Sequence, residues 1–272
     1  MSNITISVDG GTSKKLLTAG KYCDMDIVVT AKGGGYTEDE LTEACEAAHA
    51  NGYAAGEKHE YDRFWDAYQE NGNKTNYESA FHGTGWNDET FKPKYNIAPT
   101  NVNGGYSMFR YSQMTDIQKA LEDRGLVLDV SRAYLSQMFQ YSKTKRLGTI
   151  NMNACVYAGV ADYAFYGAAI ETIDKLVVKA NVQFSNSVFY NCTYLTNLTI
   201  EGVIGMNGFN VQWSPNLSKA SIISIINALS TTTSGLTVTL SATAVTNAFG
   251  STTADEWTAL VATKSNWTIS LM

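Results

Sequence analysis

The residues with the greatest potential for acid–base or metal chemistry in this sequence are its three histidines. They are His49, His59 and His82. His49 and His59 fall in a predicted helix, where a separation of ten residues does not bring two side chains onto one face as a pair of metal ligands. We therefore predict no metal site and no catalytic histidine, and we interpret all three as solvated or partly buried side chains.

The carboxylates are also poorly placed to act as a catalytic pair. Glu38-Asp39-Glu40 opens a predicted helix, where acidic residues stabilise the N-terminus, and Asp88-Glu89 lies in a predicted loop. A glycosidase needs two carboxyl groups facing each other across a cleft. The predicted strands offer Asp129 and Glu201, which at about 4.8 Å per strand step would be about 14 Å apart. The sequence contains no G-x-S-x-G, P-loop or G-x-G-x-x-G motif. We predict a non-catalytic protein without a cofactor.

A row of mainly polar side chains on the predicted strands is the remaining candidate for a site. The outward positions are Val127, Asn151, Lys175 and Thr199, with Asp129, Asn153, Val177 and Glu201 beside them. Such a flat surface with adjacent tyrosines is suited to a glycan or a protein, and the alternative is an ordinary solvated sheet face. The candidate ligand-binding residues are Asn151, Asn153, Lys175, Thr199 and Glu201.

The elements that would position this row repeat along the segment from Leu126 to Glu201. Steps of 24 residues from Leu128 reach Met152, Leu176 and Ile200, each in a short run that alternates apolar and polar residues. Alternation with period two is typical of a strand with one buried face, and one strand per fixed period is typical of a stacked repeat fold. The sequence therefore predicts an α+β fold built on a leucine-rich-repeat-like solenoid with repeats of about 24 residues.

Aromatic residues before the strands support the same interpretation. They are Phe109, Phe139, Phe165 and Phe189. Only the last two keep the 24-residue step, so the turns vary in length.

We place the solenoid at residues 71–272, with an N-terminal cap at 71–107 and a C-terminal cap at 215–272. In the C-terminal cap we predict a helix capped by Ser218, a strand at Leu236–Leu240, a helix begun by Thr253 and Glu256, and a closing strand at Trp267–Leu271.

Two smaller modules are predicted before the solenoid. Residues 1–33 form a small β attachment module, in which Asp9-Gly10-Gly11 indicates a hairpin. Residues 37–70 form a helical connector that begins at the capping box Thr37-Glu38-Asp39-Glu40. This helix either packs on its own domain or associates with other copies, for example as a trimer. The candidate oligomerisation residues are Leu41, Cys45, Tyr61, Phe64, Trp65 and Tyr68.

Charge and composition argue against several other classes of protein. A formal net charge of -6 does not favour nucleic-acid binding, which needs clustered Lys and Arg. No apolar run approaches the roughly 20 residues of a membrane span, and the first residues lack the pattern of a signal peptide. Widely spaced cysteines favour small buried side chains over a metal site. They are Cys23, Cys45, Cys155 and Cys192.

Several stretches, spread over the whole length, carry a resemblance to a known family. They are Gly20-Lys21-Tyr22-Cys23, Asp26-Ile27-Val28-Val29-Thr30-Ala31, Glu60-Tyr61-Asp62-Arg63-Phe64-Trp65-Asp66, Phe91-Lys92-Pro93-Lys94-Tyr95, Asn197-Leu198-Thr199-Ile200-Glu201-Gly202-Val203-Ile204, Ser221-Ile222-Ile223-Ser224-Ile225-Ile226-Asn227-Ala228-Leu229 and Asn266-Trp267-Thr268-Ile269. In these the chain resembles the BspA-type leucine-rich-repeat proteins encoded by phages and prophages of gut Firmicutes.

The resemblance implies a protein of the virion surface or tail, made in the bacterial host cytoplasm. Its N-terminal module would bind other virion or tail proteins. Its leucine-rich-repeat surface would serve adhesion to a host-cell glycan or protein, without catalysis. The alternatives are a surface-glycan hydrolase, or depolymerase, and a structural scaffold without a ligand.

Overall fold

The computed structural model of the chain describes residues 77–272, together with the backbone of two short strands near the N-terminus. The chain divides into two units, Met1–Asp66 and Ala67–Met272. In the first unit, β1 (Ile6–Val8) pairs in parallel with β2 (Val29–Ala31). We had predicted a hairpin in this module, but strands that pair in parallel cannot be the two arms of one hairpin. The predicted helical connector at 37–70, with all its candidate oligomerisation residues, lies outside the described residues.

The second unit contains short helices and strands. Its elements are a 3-10 helix at Val102–Gly105, α1 (Ile117–Glu122), β3 (Arg146–Asn151), β4 (Thr172–Val178), β5 (Asn197–Gly202), β6 (Asn210–Val211), α2 (Lys219–Ala228), β7 (Leu236–Leu240), α3 (Ala242–Phe249), α4 (Asp255–Ala262) and β8 (Trp267–Leu271). The strands form two separate parallel sheets, one in the order β3-β4-β5 and one in the order β6-β7-β8. Residues 77–272 are thus a small α+β fold.

The predicted leucine-rich-repeat-like solenoid is wrong, because helices close the first sheet after three strands. Helix α2 follows β5 and the short β6, and the amides of Leu198 and Ile200 in β5 donate to the hydroxyls of Ser221 and Ser224 in this helix, each over 2.8 Å. Helix α2 thereby occupies the hydrogen-bonding edge that a fourth strand would need. At the opposite edge, the amide of Gly148 in β3 donates to the side chain of Gln118 in α1 (3.0 Å).

Within the first sheet, the alternating sequence pattern does place apolar side chains inside. Ile150, Leu176 and Ile200 are partners across the three strands. Of the other two predicted strand centres, Met152 lies just beyond β3, and Leu128 forms only an isolated bridge with Ile97. The 24-residue step therefore identifies two strand centres and does not describe the whole fold.

Beside the first sheet, successive turns place a line of phenylalanines in the core. We call this line the phenylalanine stack; it consists of Phe81, Phe109, Phe139, Phe165 and Phe189, all fully buried. Their ring centroids are 5.0 to 5.7 Å apart. The backbone follows the rings, since the amide of each of the first four donates to a carbonyl of the next turn. Hydrogen bonds and ring packing together fix each turn against its neighbours.

The C-terminal part matches several local predictions. Ser218 caps α2, and β7 and β8 have the predicted bounds. Helix α4 begins at Asp255 after Ala254, which makes no side-chain capping bond, so the predicted capping box is wrong. Helix α3 was not predicted, although Ser241 caps its start and Gly250 ends it with φ 85°.

Candidate functional site

The first sheet brings most of the predicted ligand-binding residues together. Asn151 is the partner of Val177, which in turn is the partner of Glu201. The Lys175 ammonium lies 2.6 Å from the Glu201 carboxylate, and Thr199 is exposed on the same strand as Glu201. The predicted polar face is thus assembled, but its central charges form an ion pair with each other.

Asn153 departs from this face, because the chain turns after β3. Its backbone amide donates to Oδ1 of Asn151 (2.9 Å), which closes a local turn. Its own Oδ1 is buried without a hydrogen-bond partner. Asn153 is therefore a part of the turn rather than an outward-pointing neighbour of Asn151.

Further ion pairs surround the same sheet. The Arg146 guanidinium lies 3.0 Å from the Glu122 carboxylate and 2.5 Å from the Asp174 carboxylate. The hydrogen bond to Asp174 makes the largest contribution to raising the pKa of Arg146, and the hydrogen bond to Glu122 adds to it. Lys145 pairs with Glu171 at 3.1 Å. Exposed ion pairs of this kind contribute little to stability. Their effect here is to neutralise much of the charge that the face would offer to a ligand.

A second exposed surface was not predicted. We call it the tyrosine row: Tyr111, Tyr141, Tyr166, Tyr190 and Trp213. The centroids of successive rings are 5.2, 5.3, 5.0 and 4.8 Å apart. Tyr111, Tyr141, Tyr190 and Trp213 each keep 37 to 39 % of their surface in contact with solvent. The row runs across the same turns that hold the phenylalanine stack.

The turns place the row by an unusual backbone conformation. Tyr111 and Tyr141 each lie two residues after a stacked phenylalanine and have φ of 60° and 57°. A left-handed conformation at a residue other than Gly, Asn or Asp costs of the order of 1 kcal/mol or more, and it persists where surrounding structure enforces it. Here both tyrosine amides donate to the next turn, over 2.9 Å in each case. At the next turn Gly167 takes this position, and a Cβ there would lie 2.8 Å from the ring of Tyr141.

Polar groups run along the row without forming a charged cluster. The guanidinium of Arg110 lies 4.9 Å from the centroid of the Tyr111 ring, and the ring of His82 meets the same tyrosine edge-on at 5.8 Å. A hydrogen bond with the Tyr141 hydroxyl raises the pKa of Tyr166. Residues 77–272 contain 13 Lys and Arg and 13 Asp and Glu, so the formal net charge of -6 lies entirely in residues 1–76.

Among the other exposed tyrosines of residues 77–272, Tyr163 contacts the ring of Tyr166 at 5.4 Å, whereas Tyr157 and Tyr194 show no ring contact with the row. Tyr157 and Tyr194 are each 62 % exposed, and Tyr157 contacts Tyr134 edge-on at 6.5 Å. A shallow, open depression of about 330 Å³ lies near Tyr134. Its lining residues are Glu78, Asn103, Tyr106, Tyr134, Ser136, Gly159 and Val160. Among residues 77–272, the tyrosine row is the continuous line of ring contacts that reaches the surface, with Tyr166 as its one half-buried member.

The sequence does contain a signal for the row. The pattern is Phe109-x-Tyr111, Phe139-x-Tyr141, Phe165-Tyr166 and Phe189-Tyr190. We had used these aromatics only as markers of the segment before each predicted strand. A tyrosine one or two residues after a buried phenylalanine, repeated four times, would have indicated a second, outward line of rings.

The remaining sequence expectations concern metals and membranes. Among the described residues there is no cluster of three or more potential metal-binding side chains. In the same part of the chain, no helix has the length and hydropathy needed to span a bilayer.

With the site described, the chain can be compared with known proteins. No family model, no curated protein and no solved structure matches it. The resemblance to BspA-type phage proteins therefore stays a prediction, and the function must be argued from the site.

Proposed function

We propose that the chain is a phage or prophage protein of the virion surface or tail, and that it binds a molecule of the host-cell surface through the tyrosine row. The observation that carries this proposal is the continuous line of ring contacts from Tyr111 to Trp213, in which every ring except Tyr166 is more than a third exposed. The sequence resemblance supports the assignment to a virion. Adhesion, rather than catalysis, is the role that suits an open surface of this kind.

The row has the properties of a pre-organised binding surface. Tyrosine offers a large, rigid contact area at a low entropic cost, and its hydroxyl adds a polar contact. The left-handed backbone at Tyr111 and Tyr141, and the hydrogen bonds to the next turn, hold these rings before any ligand arrives. Binding to such a surface avoids much of the ordering cost that a flexible loop would incur.

The N-terminal unit suits attachment to other virion proteins. Residues 1–76 carry the entire net charge of -6, whereas residues 77–272 are neutral. The division of the chain into two units is consistent with one part that attaches and another that binds the host. Electrostatic complementarity would favour a basic surface on the virion partner.

The experiment is an adsorption assay with labelled full-length protein on a panel of gut Firmicutes strains. We expect Y141A/Y190A to lose at least tenfold in affinity for an adsorbing strain. The matched control is Y157A/Y194A, which removes two more exposed tyrosines outside the row and should adsorb as the wild type does. A row variant that folds and adsorbs normally would overturn the proposal, as would a wild-type protein that adsorbs to no strain.

The same assay tests the alternatives. Release of soluble fragments from host polysaccharide would identify a hydrolase. The predicted sheet face is tested with N151A/N153A/K175A: a loss confined to that variant would move the contact surface from the row to the sheet. Retained adsorption by all three variants would place the contact on another surface, and a wild-type protein that adsorbs to no strain would leave a scaffold role in place of adhesion.

A further inference from the structure

We propose that the ligand of the tyrosine row is an extended, uncharged glycan chain. This inference rests on the proposed function and names the chemical class of the receptor. The row is a single line of rings, and its steps of 4.8 to 5.3 Å are regular. A polymer of sugar rings is the surface molecule whose width and repetition fit such a line.

The size of the row argues against a protein as the partner. With roughly 200 Å² per aromatic side chain, and a bit over a third of it exposed in every ring of the row except Tyr166, the four exposed rings offer about 300 Å². A stable protein interface needs about 800 Å² on each side. An apolar patch of the row's size is, however, typical of functional patches on single proteins. A glycan chain one ring wide would cover such a strip without needing further surface.

The charge of the surface argues against an acidic polymer. Residues 77–272 have equal numbers of acidic and basic side chains, and five lysines or arginines of this part are held in surface ion pairs. Arg110 lies beside the row, against the ring of Tyr111. Binding of a polyanion relies on several clustered cations, whose counter-ions are released. The row offers hydroxyl groups and ring carbons instead.

The arrangement of the rings suggests how sugars would be held. Tyr111 and Tyr141 are near parallel, as are Tyr166 and Tyr190, with interplanar angles of 14° and 6°. Parallel rings present their edges and phenolic hydroxyls to solvent, which suits hydrogen bonds to sugar hydroxyls. At the end of the row Trp213 is tilted by 48° to Tyr190 and is 39 % exposed, so its ring face can stack on the C–H face of a sugar.

Trp213 also provides the signal for the test. It is exposed, whereas Trp86, Trp257 and Trp267 are buried. Cell-wall polysaccharide from an adsorbing strain is separated into neutral and acidic fractions by anion exchange, and each is titrated into full-length protein while tryptophan emission is recorded. We expect the neutral fraction to change the emission and W213F to abolish the change. Y141A/Y190A should weaken binding at least tenfold, and Y157A/Y194A should not.

The outcomes separate this inference from the proposed function. If adsorption depends on the row but is lost when the cells are treated with protease, the partner is a protein; the inference then fails while the adhesion role stands. Row-dependent binding of the acidic fraction alone would also overturn it. If Y141A/Y190A adsorbs to cells like the wild type, the proposed function itself fails.

Discussion

The thiols of Cys155 and Cys192 are packed among buried side chains, and this decides their chemistry. Burial raises the pKa of both thiols to about 12. Because the thiolate is the reactive form, both should be nearly inert at neutral pH. We predict that a C23S/C45S variant, which retains only these two thiols, reacts with Ellman's reagent at pH 8 at least a hundredfold more slowly when native than when unfolded in guanidinium.

The unfolded sample is the control for this measurement, since it should release two equivalents of product. Rapid reaction of one equivalent in the native protein would show that a thiol is accessible, and would contradict the packing around it. The pH dependence gives a further check. Native reactivity should increase only as the pH rises towards 12, because that is where the folded thiols lose their protons.

Lys264 is a second buried group with a specific structural role. Its ammonium donates to the carbonyls of Asn227 (3.0 Å), in the last turn of α2, and Leu229 (2.5 Å), the C-cap residue of that helix. A cation at this end also complements the helix dipole. Burial lowers the pKa of Lys264, but these two bonds satisfy carbonyls that would otherwise be unpaired.

We predict that K264M lowers the free energy of unfolding by about 2 kcal/mol, since methionine keeps an apolar stem but removes a charged hydrogen-bond donor. Urea denaturation measures the change. The matched control is K179M at an exposed position, which should stay within about 0.5 kcal/mol of the wild type. Equal midpoints for the two variants would show that the buried ammonium makes no net contribution.

Among the elements, the contact between α2 and β5 determines where the first sheet ends. Ser221 and Ser224 accept the two strand amides, and the Ser221 hydroxyl also donates to the Thr196 carbonyl (3.2 Å). We predict that S221A/S224A costs about 2 to 4 kcal/mol, because each buried amide left without a partner costs about 1 to 3 kcal/mol.

Amide exchange can locate this effect. The amides of Leu198 and Ile200 should exchange much faster in S221A/S224A, while that of Leu176 in the middle strand should change little. N227A, at an exposed position of the same helix, is the control for loss of helix propensity or surface contacts. Unchanged exchange at Leu198 and Ile200 would mean that the serines do not close the sheet.

These elements also show what the sequence could and could not predict. Strands β7 and β8 were predicted with their observed bounds. The alternation of apolar and polar residues in a segment bounded by turns is a local signal that the sequence shows directly. The end of the first sheet was not predicted, since Ser221 and Ser224 look in sequence like ordinary helix residues. Their role depends on a strand more than 20 residues earlier in the chain, and no periodicity records it.

For the candidate site the same distinction applies. Lys175 can pair with Glu201 because β4 and β5 lie with Leu176 opposite Ile200, the register that the 24-residue step in the sequence indicates. The tyrosine row depends on turns of unequal length and on left-handed residues such as Tyr141, which a search for one fixed period overlooks. Local patterns therefore predicted the strands, whereas the tyrosine row results from the stacking of turns of unequal length.

At the scale of the whole molecule, the net charge and the tyrosine row lie in different parts of the sequence. Residues 1–76 have a net charge of -6, and the neutral remainder presents the tyrosine row. Several copies joined through their N-terminal residues would present several rows to one cell. Multivalent contact of this kind raises apparent affinity without any new contact, which suits weak individual binding of a glycan.

A trimer formed through the predicted helix, one of the two arrangements that the sequence leaves open, provides the test of this arrangement. Light scattering of the full chain should give about three times the chain mass of 29.7 kDa. Because each N-terminal part is acidic, repulsion should weaken association at low ionic strength, and added salt should stabilise the trimer by screening it. Phe64→Asp, within the predicted helical interface, should give monomers, whereas Thr199→Asp on the exposed sheet face should not. A monomeric wild type at all salt concentrations, or trimers that persist in Phe64→Asp, would contradict an interface formed by this helix.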